Sequence, residues 1–340
     1  MSGTNFANRI PSIYNPDHKD MAISTASRSS FRHALLCWYE ANARDLPWRQ
    51  TDDPYRIWIS EVMLQQTRVA VVVDRYSRFL QKFPSVRALA RAPESAVLAE
   101  WSGLGYYRRA RNLRNAAKLI TREHSGIFPR SADSLLSLPG VGRYTAAAVA
   151  SIAFDEPVAV VDGNVERVLS RLHGRHLARE GSWSAAQELL DVSRPGDFNQ
   201  AMMELGATVC VPVNPGCLEC PIRKFCRTRG RGRSRKPNAR QQRREISYSL
   251  SQRADSVLLV QRDADDRLMP GMWELPQVIH ESAKAPLFSL RHSVTVTNFR
   301  VNVVTSRFRG PGARWVKSSS LNAMPLTGLA RKILRRAEII

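Results

Sequence analysis

LPGVGRYTAAAVASIAFDEPVAVVDGNVERVL, residues 138–169, strings together a glycine-punctuated turn, a helix of small apolar residues and an acid that opens the next helix. Gly140 and Gly142, on either side of Val141, let the chain turn tightly with its amide groups uncovered, and the following helix adds the positive end of its dipole. Such a turn either grips phosphate or simply connects two helices. Asp162 is placed as an N-cap beside Gly163 and Asn164, where backbone N–H groups favour the anion.

The surrounding chain favours phosphate. Its 340 residues carry 51 Lys and Arg against 30 Asp and Glu, a formal net charge of +21 and a pI near 10.7. An excess of that size implies a polyanionic partner, with nucleic acid first. The length accommodates roughly two domains of about 100–200 residues each. No run of about 18 apolar residues occurs, so no transmembrane helix and no membrane partner is expected. Residues 1–27 lack an apolar core and carry Asp17 and Asp20, so they read as a disordered leader and not as an export or import signal; Met21 is an alternative start. The expected location is cytoplasmic, nucleoid-associated in a bacterium, and the expected state is a monomer.

From Ser30 to Leu205 the apolar residues recur at helical spacing, as in Phe31, Leu35, Trp38 and Tyr39, with a start signal at Asp53-Pro54 and a stop at Gly174. A helical domain over 28–226 is expected. Residues 227–244, RTRGRGRSRKPNARQQRR, hold eight Arg, one Lys and no acid, and read as a solvated linker that also touches phosphates. Beyond it SVLLVQR, HSVTVTNFRVNVVTSRF and ARWVKS look like strands, so a smaller β-rich domain over 245–340 follows.

Cys37 stands alone, whereas Cys210, Cys217, Cys220 and Cys226 are spaced C-x6-C-x2-C-x5-C. Four thiols packed this closely in a helical chain fit a metal site in a reducing compartment better than disulfides, and thiolates serve zinc and iron–sulfur clusters alike. Upstream, in WISEVMLQQTRV, a helix would place Glu61 on one face with Ile57, Trp58, Leu64 and Gln65. A carboxyl held against apolar groups keeps its proton near neutral pH and can act as a general acid; the alternative is an ordinary exposed helix Glu.

LPGVGRYTAAAV followed by VVDGNVERVL resembles the helix-hairpin-helix DNA glycosylase superfamily, and WISEVMLQQTRV resembles its adenine DNA glycosylase (MutY-type) family. The resemblance implies an all-α glycosylase domain with an iron–sulfur loop at 210–226, followed by a smaller α+β Nudix-like domain. It implies a 4Fe-4S cluster on the four cysteines, and double-stranded DNA bearing A:8-oxoguanine or A:G mispairs as partner. Glu61 takes the place of the acid that protonates adenine, Asp162 that of the anion facing the sugar cation, and Tyr144 and Asn164 orient water and carboxylates. Lyase-competent relatives similar to endonuclease III carry a lysine where this chain has Tyr144, and a phenol forms no imine, so a monofunctional enzyme is expected.

Gln66 and Tyr106 match positions that wedge into the duplex near the partner base, and Gly140, Val141 and Gly142 match the backbone clamp. Arg108, Arg109, Arg111 and Arg114 read as a phosphate-facing ridge or as an exposed salt-bridged face. In the C-terminal part MPGMWELP and HSVTVTNFRV resemble the Nudix-like domain that finds 8-oxoguanine. Family members often carry Phe-Ser-His where this chain has Val296-Thr297-Asn298, so Thr297 and Asn298 are candidate lesion contacts, and no carboxylate box for nucleotide hydrolysis follows WELP. A thymine (T:G) mismatch glycosylase and a catalytically silent iron–sulfur DNA-binding protein are the competing readings. Glu61 together with Asp162 argues against the silent binder.

Overall fold

The computed structural model describes residues 25–230, 242–263, 265–266, 268–279, 285–294, 297–306, 308 and 310–340. Most of the leader, the middle of the Arg-rich stretch (231–241) and Val296 lie outside these residues. Among the described residues no helix is long and apolar enough to cross a membrane.

The N-terminal part is helical: α1 (Thr25–Asn42), α2 (Pro54–Leu64), α3 (Val69–Lys82), α4 (Val86–Arg91), α5 (Glu94–Glu100), α6 (Arg108–Glu123), α7 (Ala132–Leu135), α8 (Arg143–Phe154), α9 (Gly163–His173), α10 (Arg179–Leu189) and α11 (Pro195–Thr208). The punctuation behaves as its chemistry requires. Asp53 caps α2 by accepting from Tyr55 N at 2.8 Å with Pro54 at the first helical position, and Gly174 ends α9 at φ 69°.

Two apolar cores form. Trp58, Phe79, Leu89, Trp101, Leu113 and Ile120 gather α2 to α6 around one, and Phe31, Leu35, Leu169, Phe198 and Leu205 gather α1, α9 and α11 around the other. Helix α8 lies between them, buried nearly all round: Ala146, Val149 and Ala150 join the first core, while Ala147 and Ala148 meet Val160 and Trp183. Its small side chains let α2 and α11 approach from opposite sides. A Cβ at Gly196 would stand 2.8 Å from Ser151 O, so α11 keeps its place only with glycine there.

The turn before α8 is anchored by Val141, which is buried in the first core and donates to Leu138 O at 3.1 Å. Gly142 caps α8 without a side chain, leaving the first-turn amides open. Gly140 sits at φ 77°, and a Cβ there would fall 2.5 Å from the Asn112 side chain of α6.

The C-terminal part is α+β. Strands β1 (Gln242–Ser249), β2 (Gln252–Arg253), β3 (Ser256–Gln261), β4 (Trp273–Glu274), β5 (Gln277–Val278), β6 (Phe288–Val294), β7 (Thr297–Val304) and β8 (Ala313–Lys317) precede α12 (Gly328–Arg336). One sheet runs β5-β1-β7-β6 with β1 parallel to β7; in the other, β3 pairs with β2, β4 and β8. Val257, Leu259, Val301 and Val303 pack with Leu329 and Ile333 of α12.

Two sequence expectations need correction here. β1 begins at Gln242, inside the stretch read as linker, because Arg243 and Arg244 pair in register with Asn298 and Phe299 of β7, and that ladder overrides polar composition. Residues 292–308 are not one strand, because β6 ends at Val294 and β7 begins at Thr297 as its antiparallel neighbour.

The two parts share a buried seam. Ser102 Oγ donates to Leu326 O at 2.8 Å, Arg331 Nε donates to Ser102 Oγ at 3.0 Å, and Met272 packs into the first helical core. Gly140→Ala combines a left-handed backbone with a clash against Asn112, so it is expected to cost about 1–3 kcal/mol of stability, read as a lowered midpoint in denaturant unfolding.

Candidate active site

Glu61 lies on α2 with Ile57 and Trp58 fully buried beside it, and is itself only 5% exposed. Across from it, α8 presents Tyr144, whose hydroxyl donates to Glu61 Oε2 at 2.6 Å and lies 3.4 Å from Met203 Sδ of α11. Gln65 Nε2 donates to Thr145 Oγ1 at 3.0 Å and fixes the same crossing. Burial is the main influence on the Glu61 carboxyl and raises it; the Tyr144 bond and Arg49 pull it down, Asp162 pushes it up, and the result is about 7. Burial likewise holds the Tyr144 phenol well above its usual range, so at neutral pH it is the donor in this pair.

Asp162 arrives by another route. The extended chain after α8 is tied down by Asn199, which accepts from Val160 N at 3.0 Å and donates to Val158 O at 2.9 Å, and by Gln187, which accepts from Ala159 N at 2.9 Å. Asp162 then caps α9, accepting from Asn164 N at 2.9 Å, Val165 N at 2.7 Å and Asn164 Nδ2 at 3.0 Å. Asn164 is held in turn by Arg167, which donates to Asn164 Oδ1 at 2.8 Å and to Gly206 O at 2.7 Å. A Cβ on Gly206 would fall 2.7 Å from Asn164 Cβ, so glycine there admits α11 to this contact.

Glu61, Tyr144, Asp162, Asn164 and Gln66 share one cleft of about 570 Å³ with Arg44, Trp48, Arg49 and Glu204. The last four were missed in the sequence. Glu204, 1% exposed on α11, receives Arg44 Nε at 2.6 Å, Arg44 Nη2 at 2.7 Å and Arg49 Nη2 at 2.7 Å. Burial would raise its carboxyl, but the two guanidinium groups outweigh it and hold it at about 2. The available signal was one acid inside the apolar run of AMMELGA, on the face that buries Ala201 and Leu205.

The remaining candidates divide. Gln66 and Tyr106 are exposed and both have left-handed backbones, φ 55° and φ 47°. Arg108 is exposed at the start of α6, but the expected arginine ridge does not form. Arg109 turns inward onto backbone carbonyls, Arg111 pairs with Glu94 at 2.7 Å and donates to Pro270 O, and Arg114 donates to Ala92 O at 2.7 Å. Thr297 and Asn298 lie outside the catalytic cleft, at the start of β7, where Ser293 Oγ donates to Asn298 Oδ1 at 2.6 Å. Asn298 lines a separate cleft of about 840 Å³ with Arg243, Arg291 and Arg300.

The cysteine loop follows α11. Arg171 donates to Cys210 Sγ at 3.3 Å, and Cys210, Cys220 and Cys226 pack on the second core. Burial is the main influence on Cys220 and pushes it up to about 11, with the Ile222 N–H lowering it and the thiols of Cys210, Cys226 and Cys217 raising it. Among the described residues no three such side chains converge on a single ion position.

The HhH-GPD superfamily base excision DNA repair protein model matches residues 59–189. The chain is 50% identical to the adenine DNA glycosylase of Mus musculus over 217 residues, 59% of this chain and 42% of that one. A thermostable thymine-DNA glycosylase superposes with TM-score 0.58 at 31% identity, covering 62% of this chain and 100% of the other. Endonuclease III from a non-covalent DNA complex superposes with TM-score 0.52 at 25% identity, covering 60% and 96%. The chain spans 40–43% of the length of the mammalian relatives it matches. It belongs to the HhH-GPD superfamily of base excision DNA repair proteins, and over 59–61% of its length it is similar to the mammalian adenine DNA glycosylases.

Glu204→Ala strands two half-buried guanidinium groups. Discounted for the partial exposure of Arg44, it is expected to cost about 2–3 kcal/mol, seen as a lower unfolding midpoint that the double variant with Arg49→Met partly restores.

Proposed function

We propose that the protein excises adenine mispaired with 8-oxoguanine or guanine by hydrolysing its N-glycosidic bond, without cutting the strand. The observation that carries this reading is a buried carboxyl held near pKa 7 in the same cleft as a second carboxylate that accepts three N–H groups.

The target nucleotide leaves the stack and enters the cleft. Glu61 gives its proton to the base, at N7 by family analogy, and Tyr144 keeps that carboxyl oriented. As the glycosidic bond breaks, positive charge grows on the sugar, and Asp162, held in place by Asn164, stabilises it until water adds. Tyr144 offers no amine to the sugar, which supports base removal without lyase chemistry.

The open first-turn amides of α8 and Gly140 supply the phosphate grip. The four cysteines are the ligand set for a 4Fe-4S cluster, which when bound supports the loop and its DNA contact. Their C-x6-C-x2-C-x5-C spacing supports this assignment. The α+β part serves as a Nudix-like reader of the base opposite adenine, with Asn298 lining its arginine-rimmed cleft and Thr297 the residue before it on β7. The domains this implies are 28–226 and the C-terminal part expected over 245–340, which begins at 242 with β1.

Labelled duplexes bearing A:8-oxoguanine, A:G, T:G and A:T, read before and after alkali, test the proposal. Strand breaks at adenine only after alkali are expected. Cleavage at T:G moves the assignment to thymine, and binding without base loss leaves a silent binder. Iron and sulfide, not zinc, are expected with the purified protein.

Since Glu61 must carry its proton, single-turnover excision is expected to fall as pH rises through about 7, and Glu61→Gln is expected to abolish it. Tyr144→Phe removes a bond that favours the carboxylate, so its alkaline limb is expected to move to higher pH.

A further inference from the structure

Arg109 was expected to face DNA phosphate, but its guanidinium lies beneath the surface between two loops. Nη1 donates to Val62 O at 2.7 Å, Met63 O at 3.0 Å and Gln65 O at 2.6 Å. Nη2 donates to Thr67 Oγ1 at 3.1 Å, Leu104 O at 3.0 Å and Gly105 O at 3.1 Å. The first set belongs to the carbonyl end of α2, where unpaired C=O groups and the helix dipole both attract a cation. The second set comes mainly from the turn that enters α6. Among the described residues no carboxylate pairs with this arginine; its counter-charge is a ring of carbonyl dipoles.

Two of those acceptors stand out. Gln65 and Gly105 immediately precede Gln66 and Tyr106, so one guanidinium holds the peptide planes 65–66 and 105–106 together. Gln66 and Tyr106 are non-glycine residues at φ 55° and φ 47°, a conformation that side chains resist unless neighbours impose it. The cation also lies under the Tyr106 ring, 5.7 Å from its centroid, with the buried Trp101 ring 5.3 Å away. Trp101 Nε1 donates to Gly105 O at 3.2 Å and braces the same plane.

We propose that Arg109 is a positioning residue that locks Gln66 and Tyr106 into a single rigid wedge for opening the duplex. This rests on the reading that these two side chains enter DNA during adenine excision. The planar fork is the reason for arginine: its two terminal nitrogens serve two chain segments at once, which a lysine point charge does not. The wedge then pays its ordering entropy during folding and not on encounter with DNA.

The test compares wild type, Arg109→Lys and Thr67→Val in single-turnover excision on two duplexes. One carries A:8-oxoguanine in a perfectly paired context, and in the other the same pair is flanked by mismatches that already weaken the stack. A 2-aminopurine beside the target reports unstacking on binding, independently of excision. Arg109→Lys is expected to lose about 100-fold on the paired duplex, to recover most of that loss on the flanking-mismatch duplex, to lose the fluorescence rise, and to keep the wild-type pH profile. Thr67→Val removes one acceptor, keeps the charge and is expected to show the same pattern more weakly, which covers a poorly folding lysine variant. Equal loss on both duplexes, or an undiminished fluorescence rise in both variants, overturns the proposal. Wild type inactive on both duplexes instead overturns the excision reading, while the fluorescence comparison still judges the wedge.

Discussion

Everything in the cleft depends on the packing that buries the Glu61 carboxyl. Helix α2 carries that acid inside a face that also buries Ile57, Trp58 and Met63, and α8 approaches closely enough for Tyr144 to reach it only because its own residues are small. Burial disfavours the anion and the phenol bond favours it, so neither alone sets the outcome; burial prevails. Asp162 and Glu204 share the cleft, and both are surrounded by N–H donors. One accepts backbone and side-chain N–H groups at a helix start, and the other is clamped by two guanidinium groups that hold it at about 2. Three carboxyls in one cavity thereby meet three surroundings: a buried acid bonded to a phenol, a helix cap that accepts N–H groups, and a counter-ion held between two arginines.

Much of this was legible in the sequence where a local rule decides it. The N-caps at Asp53 and Asp162, the stop at Gly174, the buried face of Glu61 and the turn at Gly140 follow from backbone chemistry within a few residues. What the sequence left open depends on partners far along the chain. Arg44 and Arg49 meet Glu204 across more than 150 positions, and nothing in ARDLPWR distinguishes those arginines from surface ones. The ridge on α6 failed for the same reason, since helical spacing places Arg109 and Arg114 but not the carbonyls that draw them inward. β1 extended into the arginine-rich stretch because its register with β7 is a tertiary fact that composition does not carry.

The basic charge accordingly does more than attract a polyanion. Part of it is committed to internal hydrogen bonds: Arg167 on the Asn164 amide oxygen, Arg171 on the cysteine loop, Arg331 on the Ser102 hydroxyl at the seam between the helical and α+β parts. Arg243, Arg291 and Arg300 line the second cleft. Net charge predicts the class of partner, whereas the count of DNA contacts requires knowing which guanidinium groups are already committed.

The central claim is that Glu61 holds its proton near neutral pH, and it is tested most directly by carboxyl carbon NMR on protein labelled at Glu, with the Glu61 resonance assigned by its loss in Glu61→Gln. A titration midpoint close to 7 is the predicted result. A midpoint in the ordinary glutamate range, about 4.3, would mean that the carboxyl is solvated and ionised at neutral pH, and would contradict its role as the proton donor.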